Sequence, residues 1–330
     1  MGSCLTLLMN TCVLSQAREL SAAEALQRHR ESLSYLQSTS MNIVINVDSN
    51  DNEFFPQTSD FVFRQDVKSN RAEWVGKHLV YDSTGELNQL VSSSIKDIAD
   101  GNMLARLHND FFNFNKEAPR GRFIVLRYNY KEKLKEILEN PNSGGPLFGK
   151  MYGSNYKSVA DLLGESTRLH ILDKKEKING LACFVLEGKS KYGKVTAWIA
   201  PEKGYNAMKW VIQKDPHHLF NDAAISKGTE SWQAIFNVKE LCEIIGEDKT
   251  VFVPKRAHFS HTINFRDGTK NIDHYEYKTS DINLKPDFKA LGAFKMDFPD
   301  GIRVFNKDFP GARFKWENGK PVRGPKRGSI

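Results

Sequence analysis

Residues 40–48 read SMNIVINVD. Met41, Ile43, Ile45 and Val47 fall on every second position, with Asn42, Asn46 and Asp48 between them. Successive side chains of a strand point to opposite faces, so this period of two predicts a β-strand with one face buried and one wet. The pattern repeats downstream. Phe61 and Phe63 share one face, opposite Asp60, Arg64 and Asp66, and Ala72 and Trp74 alternate with Arg71 and Glu73. Residues 78–81 and 86–91 flank Asp82-Ser83-Thr84-Gly85, a hairpin-turn composition. Residues 40–93 therefore read as a meander of antiparallel strands.

Upstream, Ser21 and Glu24 have the spacing of a capping box, and Ala22, Leu26, His29, Leu33 and Leu36 recur at helical spacing. One amphipathic helix is predicted over 22–37. Before it, residues 5–14 (LTLLMNTCVL) form an uncharged, mostly apolar run, and Ser15-Gln16-Ala17 offers small residues at the −3 and −1 positions of a cleavage site. This pattern predicts a signal peptide over 1–17 and an exported, periplasmic protein, although the first basic residue, Arg18, follows the run instead of preceding it.

Downstream, 94–165 reads mainly as helix. Helix is predicted over 95–112, 130–139 and 159–163, a strand over 122–128, and a loop over 140–149 (NPNSGGPLFG). Six strands follow, at 181–188, 195–200, 207–213, 231–238, 256–265 and 271–280, and a last hairpin pairs 302–306 with 312–317. Residues 323–330 form a basic tail expected to be disordered. Without an internal repeat, low-complexity block or clean linker, 18–322 reads as a single domain.

The chain has 330 residues, 40% of them hydrophobic and 26% charged, with a net charge of +7. That charge favours anionic partners such as phospholipid headgroups. No apolar run reaches the roughly 18 residues of a membrane-spanning helix. Cys183 and Cys242 follow the leader, and either one disulfide or two buried thiols fits them.

Enzyme chemistry finds little support. His258 and His261 form an H-x-x-H pair, but on a strand they point to opposite faces and cannot chelate one metal. Neither a nucleophile elbow nor a phosphate-binding glycine loop is present. The best basic patch, 189–194 (KSKYGK), reads as a strand-to-strand turn, so nucleic-acid binding is not expected. The chain reads as a non-enzymatic protein without metal or cofactor.

The apolar strand faces are more informative. By alternation they collect Ile43, Ile45, Phe61, Phe63, Trp74, Met208, Trp210, Trp232, Phe236 and Phe259, with Phe265 beside them. Two readings stay open. The surface is a filled core under the helices, or it lines a hydrophobic cavity that holds acyl chains, since each buried methylene contributes about 0.8 kcal/mol.

The layout of signal peptide, capped helix and strand meander, opening with an S-x-x-x-x-V/I-x-V segment at 40–47, resembles the outer-membrane lipoprotein-sorting (LolA-like) family. Residues 180–188 (GLACFVLEG) running into 195–205 (VTAWIAPEKGY), and the terminal 294–301 with 311–322, are similar to its more divergent, longer members. The resemblance implies an open half-barrel, an α+β fold dominated by a curved antiparallel sheet, with helices covering its concave face. It also implies a monomeric periplasmic carrier for lipid or lipoprotein acyl chains that meets partner proteins at a membrane surface. The gating arginine of the archetypal carrier has no match here, because Arg64 and Arg71 fall on the outer parity. The alternative is a periplasmic sensor or structural interaction protein with the same scaffold and a filled core.

The leader makes a direct prediction. N-terminal sequencing of the native protein is expected to begin near Arg18, and recovery of an intact Met1 would show that the leader is not removed.

Overall fold

The computed structural model describes residues 20–50, 57–81, 93–108, 123–128, 130–151, 153–155, 157–246, 249–310 and 312–324. The expected leader, the second arm of the hairpin at 86–91 and the tail from residue 325 lie outside them.

Helix α1 (Ala22–Ser34) begins at the expected capping box, with Ser21 accepting from the Glu24 amide and the Glu24 carboxylate accepting from Ser21. Its last turn tightens into a 3-10 turn, Tyr35–Gln37. Strands β1 (Ser38–Ser49), β2 (Gln57–Asp66), β3 (Arg71–Val80), β4 (Ser93–Asp100), β5 (Leu104–His108) and β6 (Phe123–Arg127) then run as a meander. Helices α2 (Lys131–Glu139) and α3 (Val159–Gly164) separate it from a second meander. That one comprises β7 (His170–Ile178), β8 (Leu181–Ser190), β9 (Gly193–Ala200) and β10 (Asn206–Lys214). A separate small hairpin, β11 (Leu219–Phe220) and β12 (Ala223–Ala224), interrupts it before β13 (Thr229–Ile245), β14 (Thr250–Phe265) and β15 (Lys270–Asn283). Strands β16 (Arg303–Asn306), β17 (Phe314–Glu317) and β18 (Lys320–Arg323) close the chain, so the last strand reaches one residue into the segment read as tail.

All but β11 and β12 belong to one open sheet of sixteen strands, with β7 and β18 at its two edges. The molecule is β-dominated, as expected. β1 sits inside the sheet, paired with β2 on one side and antiparallel to β15 on the other. That pairing joins the two meanders. β16 extends the sheet by pairing parallel to β6.

The period of two holds along β1, β2 and β10, whose burial alternates residue by residue. It fails at 93–108, where the structure has β4 and β5 in place of the helix expected over 95–112. Ile98 and Ala99 are both buried, as are Leu104 and Ala105, so neither face is wet and alternation disappears. Between them Asp100 Oδ1 accepts from the amides of Asn102 (2.8 Å) and Met103 (3.0 Å), and Gly101 takes φ +103°, which commits the segment to a hairpin. The far face is dry because the C-terminal segment covers it. Phe294, Phe298, Val304 and Trp316 pack against Ile98, Ala105, Ile124 and Leu126 in a second core. Beneath that cover the buried Glu73 pairs with Arg64 and accepts from the Phe294 amide at 2.6 Å.

The main core lies on the other face. α1 contributes Ala25, Leu26 and His29, and α3 contributes Val159, Ala160, Leu162 and Leu163. Cys183 on β8 and Cys242 on β13 are both free thiols, with β9 and β10 between their strands. Strands lie about 4.8 Å apart, so a disulfide cannot span that gap.

His29 predicts a pH dependence. Its ring is buried, its Nδ1–H donates to the Tyr205 carbonyl at 3.0 Å, and burial holds its pKa down at about 4. The unfolded chain takes up this proton near pH 6.5, whereas the folded one refuses it until about pH 4. Stability should therefore fall as pH drops through that window, by about 3 kcal/mol from this group. Urea unfolding at stepped pH should show a steeper loss for the native sequence than for His29→Leu, and parallel curves would refute the assignment.

Candidate functional site

All ten residues read as the apolar face are at most 3% exposed and belong to one core. Phe265, beside them, is only half-buried. Strand register explains how distant positions meet. One rung crosses seven strands from Val47 through Tyr275, Phe259, Phe236, Trp210 and Ala197 to Leu186. Along it Trp210 stacks on Phe236 with centroids 5.4 Å apart and meets Phe259 at 5.8 Å. On the other side of β1, Met41, Phe63 and Trp74 form a second rung, with Phe63 and Trp74 at 5.2 Å.

The segment at 140–149, expected to be a loop, lies against these residues. Pro141, Gly145, Pro146, Leu147 and Phe148 are buried. Two successive 3-10 turns, Pro141–Ser143 and Gly145–Phe148, satisfy much of the backbone locally, through Ser143 N to Asn140 O (2.9 Å) and Leu147 N to Gly144 O (2.9 Å). Carbonyls left over accept from the sheet. Tyr277 Oη–H donates to Pro141 O at 3.0 Å and Trp74 Nε1–H to Ser143 O at 3.4 Å. Phe148 packs on Phe63 with centroids 4.9 Å apart. The segment is a plug between the helices and the sheet, tolerable inside because its polar groups are partnered.

Beside the plug a cleft of about 480 Å³ opens between α1, α2 and the β2–β3 turn. Leu33, Leu36, Ala72, Leu134, Leu138 and Phe148 supply its apolar surface. Gln65, 6% exposed, also lines it and donates to Leu36 O at 2.5 Å. Around the opening stand Arg30, Arg71, Lys131, Lys135 and Lys150. The volume lies within the roughly 300–1,000 Å³ of small-molecule pockets. None of the ten sequence-predicted residues lines this cleft. Phe259 instead borders a shallow groove across β1, β15, β14 and β13, and Met208 one near Phe252.

The cleft residues escaped the sequence reading because it followed strand parity, and this wall is built by helices and by the plug. One signal was present. Leu134 and Leu138 are four apart on a helix whose lysines take the wet positions. Arg71 does project from the outer parity, where it pairs with Asp66 at 2.6 Å and lies over the Phe294 ring at 4.8 Å, yet it also borders the cleft.

His258 and His261 separate as their parity required. His261 is buried, 2.6 Å from Asp273, and its ring stacks near Trp232 and Tyr275, whereas His258 stands exposed beside Glu276. Among the described residues no group of three or more His, Cys, Asp or Glu is placed to hold a metal ion.

Trp210 tests the packing. Trp210→Ala should lower stability by about 3–5 kcal/mol, as for other buried large-to-small changes. Chemical denaturation measures this, and a loss under about 1 kcal/mol would mean that the ring is not packed as described.

No family model matches the sequence, and no curated protein matches it. Among solved structures, the chain is similar to a LolA superfamily protein from Nitrosomonas europaea, at 13% identity and a TM-score of 0.38, over 81% of this chain and 94% of that one. It is also similar to a DUF1329 family protein from Desulfovibrio piger, at 8% identity and a TM-score of 0.36, over 79% of this chain and 92% of that one.

Proposed function

We propose that this chain is an exported, non-enzymatic protein that binds and carries apolar ligands, lipid or lipoprotein acyl chains, and that the cleft between α1 and α2 receives them. The observation that carries the reading is an open, apolar-walled cleft beside an otherwise packed core. Leu33, Leu134 and Leu138 present aliphatic surface there, and an acyl chain laid on it leaves water at about 0.8 kcal/mol per methylene. The periplasm as its compartment rests on the leader at 1–17.

A second reading has its own support. The plug fills the space against Phe63, Trp74 and Tyr277, as a filled-core sensor or interaction protein would require. The two readings part on whether a ligand binds at all.

A fluorescent fatty acid should bind the full chain with a saturable isotherm. Leu138→Asp, a change at a half-buried position on the cleft wall, should weaken it at least about tenfold, since it sets a charge against the acyl chain. Circular dichroism should show that variant folded. An absence of saturable binding to the native sequence would favour the filled-core reading.

A further inference from the structure

The apolar wall of the cleft accounts for a ligand's tail, and its rim bears on the other end. Five cationic side chains line the cleft against one carboxylate, Asp161, and one of the five, Lys135, has a partner of its own. That carboxylate is already engaged, accepting from Ser158 N at 2.9 Å and Ser158 Oγ at 2.7 Å in the capping box of α3. Arg71 is neutralised by Asp66. Arg30 donates from Nη2 to Ala160 O at 3.2 Å, which holds its guanidinium at the wall without cancelling its charge. Lys131 and Lys150 form no salt bridge among the described residues.

These cations come from separate parts of the chain: α1, the start of β3, α2, and the stretch after the plug. Like charges gathered around a low-dielectric wall repel one another and raise the local positive potential, which an anion would relieve. An anion that also carries a hydrocarbon chain would satisfy wall and rim together.

We propose that the ligand is an amphiphilic anion, with an acyl tail against Leu33, Leu134 and Leu138 and a phosphate or carboxylate head among Arg30, Lys131 and Lys150. This rests on the reading that the cleft takes an acyl chain, and it adds that the head is negatively charged.

The test compares two probes that share one tail. Oleoyl lysophosphatidic acid and monoolein differ by a phosphate, and both are titrated below their aggregation limits into the full chain, with inorganic phosphate as a competitor. The charged lipid should bind about tenfold or more tightly at low salt, and the advantage should shrink as salt rises. Lys131→Glu with Lys150→Glu should abolish the advantage, in a double variant that circular dichroism shows folded. Lys227→Glu with Lys270→Glu, at exposed positions outside the cleft lining, makes the same change in net charge and should preserve it. Equal binding of the two lipids by the native sequence would overturn the anionic head while leaving the acyl-chain reading intact. Binding of neither lipid would overturn both. Full displacement of the charged lipid by inorganic phosphate would show a head-only site and overturn the amphiphile.

Discussion

The pairing of β1 with β15 is the contact on which the rest of the architecture depends. It runs from Ser40 opposite Asn283, through a register shift before Asn42, to Ser49 opposite Asp273. Closing a loop of about 230 residues costs roughly 5 kcal/mol in chain entropy if the chain is treated as flexible. The pairing offsets this by continuing a rung of side chains that neither meander completes alone. Val47 meets Tyr275, which meets Phe259, and the aromatic row then runs on to Trp210. A one-residue slip would turn that row toward water. Register along β1 therefore fixes both halves of the core at once.

A sheet this wide needs its apolar face covered, and the short helices do not suffice. The plug at 140–149 supplies the missing cover. Irregular backbone is costly in a core unless its polar groups are partnered. Here the turns bond within themselves, and the spare carbonyls meet the hydroxyl of Tyr277 and the indole of Trp74. Trp74, read from the sequence as part of the apolar face, thus also donates a hydrogen bond to the plug, as does Tyr277. The cleft opens beside the plug, between α1, α2 and the β2–β3 turn.

The parts legible in the sequence were those with a local signature. Ser21 and Glu24 announced α1, and alternation announced β1, β2, β10 and the burial of all ten inner-face residues. Other parts depended on tertiary cover. β4 and β5 lost their alternation because the C-terminal segment buries their second face. Residues 140–149 read only as a loop because Pro and Gly say where a chain bends, not how deep it lies. β7 went unseen because all five of its residues at 173–177 are charged, as suits an edge. The cleft was invisible for a different reason. Arg30, Arg71, Lys131, Lys135 and Lys150 make no motif along the chain and gather only in the fold.

The sheet does not close, and that has a consequence for how the molecule behaves among its own copies. An open sheet ends in two rows of spare amides and carbonyls, each a template on which a foreign strand could grow. One end is β7, where Asp173, Lys174, Lys175, Glu176 and Lys177 follow one another and the register with β8 shifts between Leu172 and Glu176. The other is β18, only four residues long, in which Pro321 has no amide hydrogen to offer. A strand arriving at either end would meet crowded charge and an irregular row, or a ladder too short and missing a rung. Sheet growth is discouraged by the sequence at its two margins, so a fold that forgoes the safety of a closed barrel keeps some of its protection against aggregation.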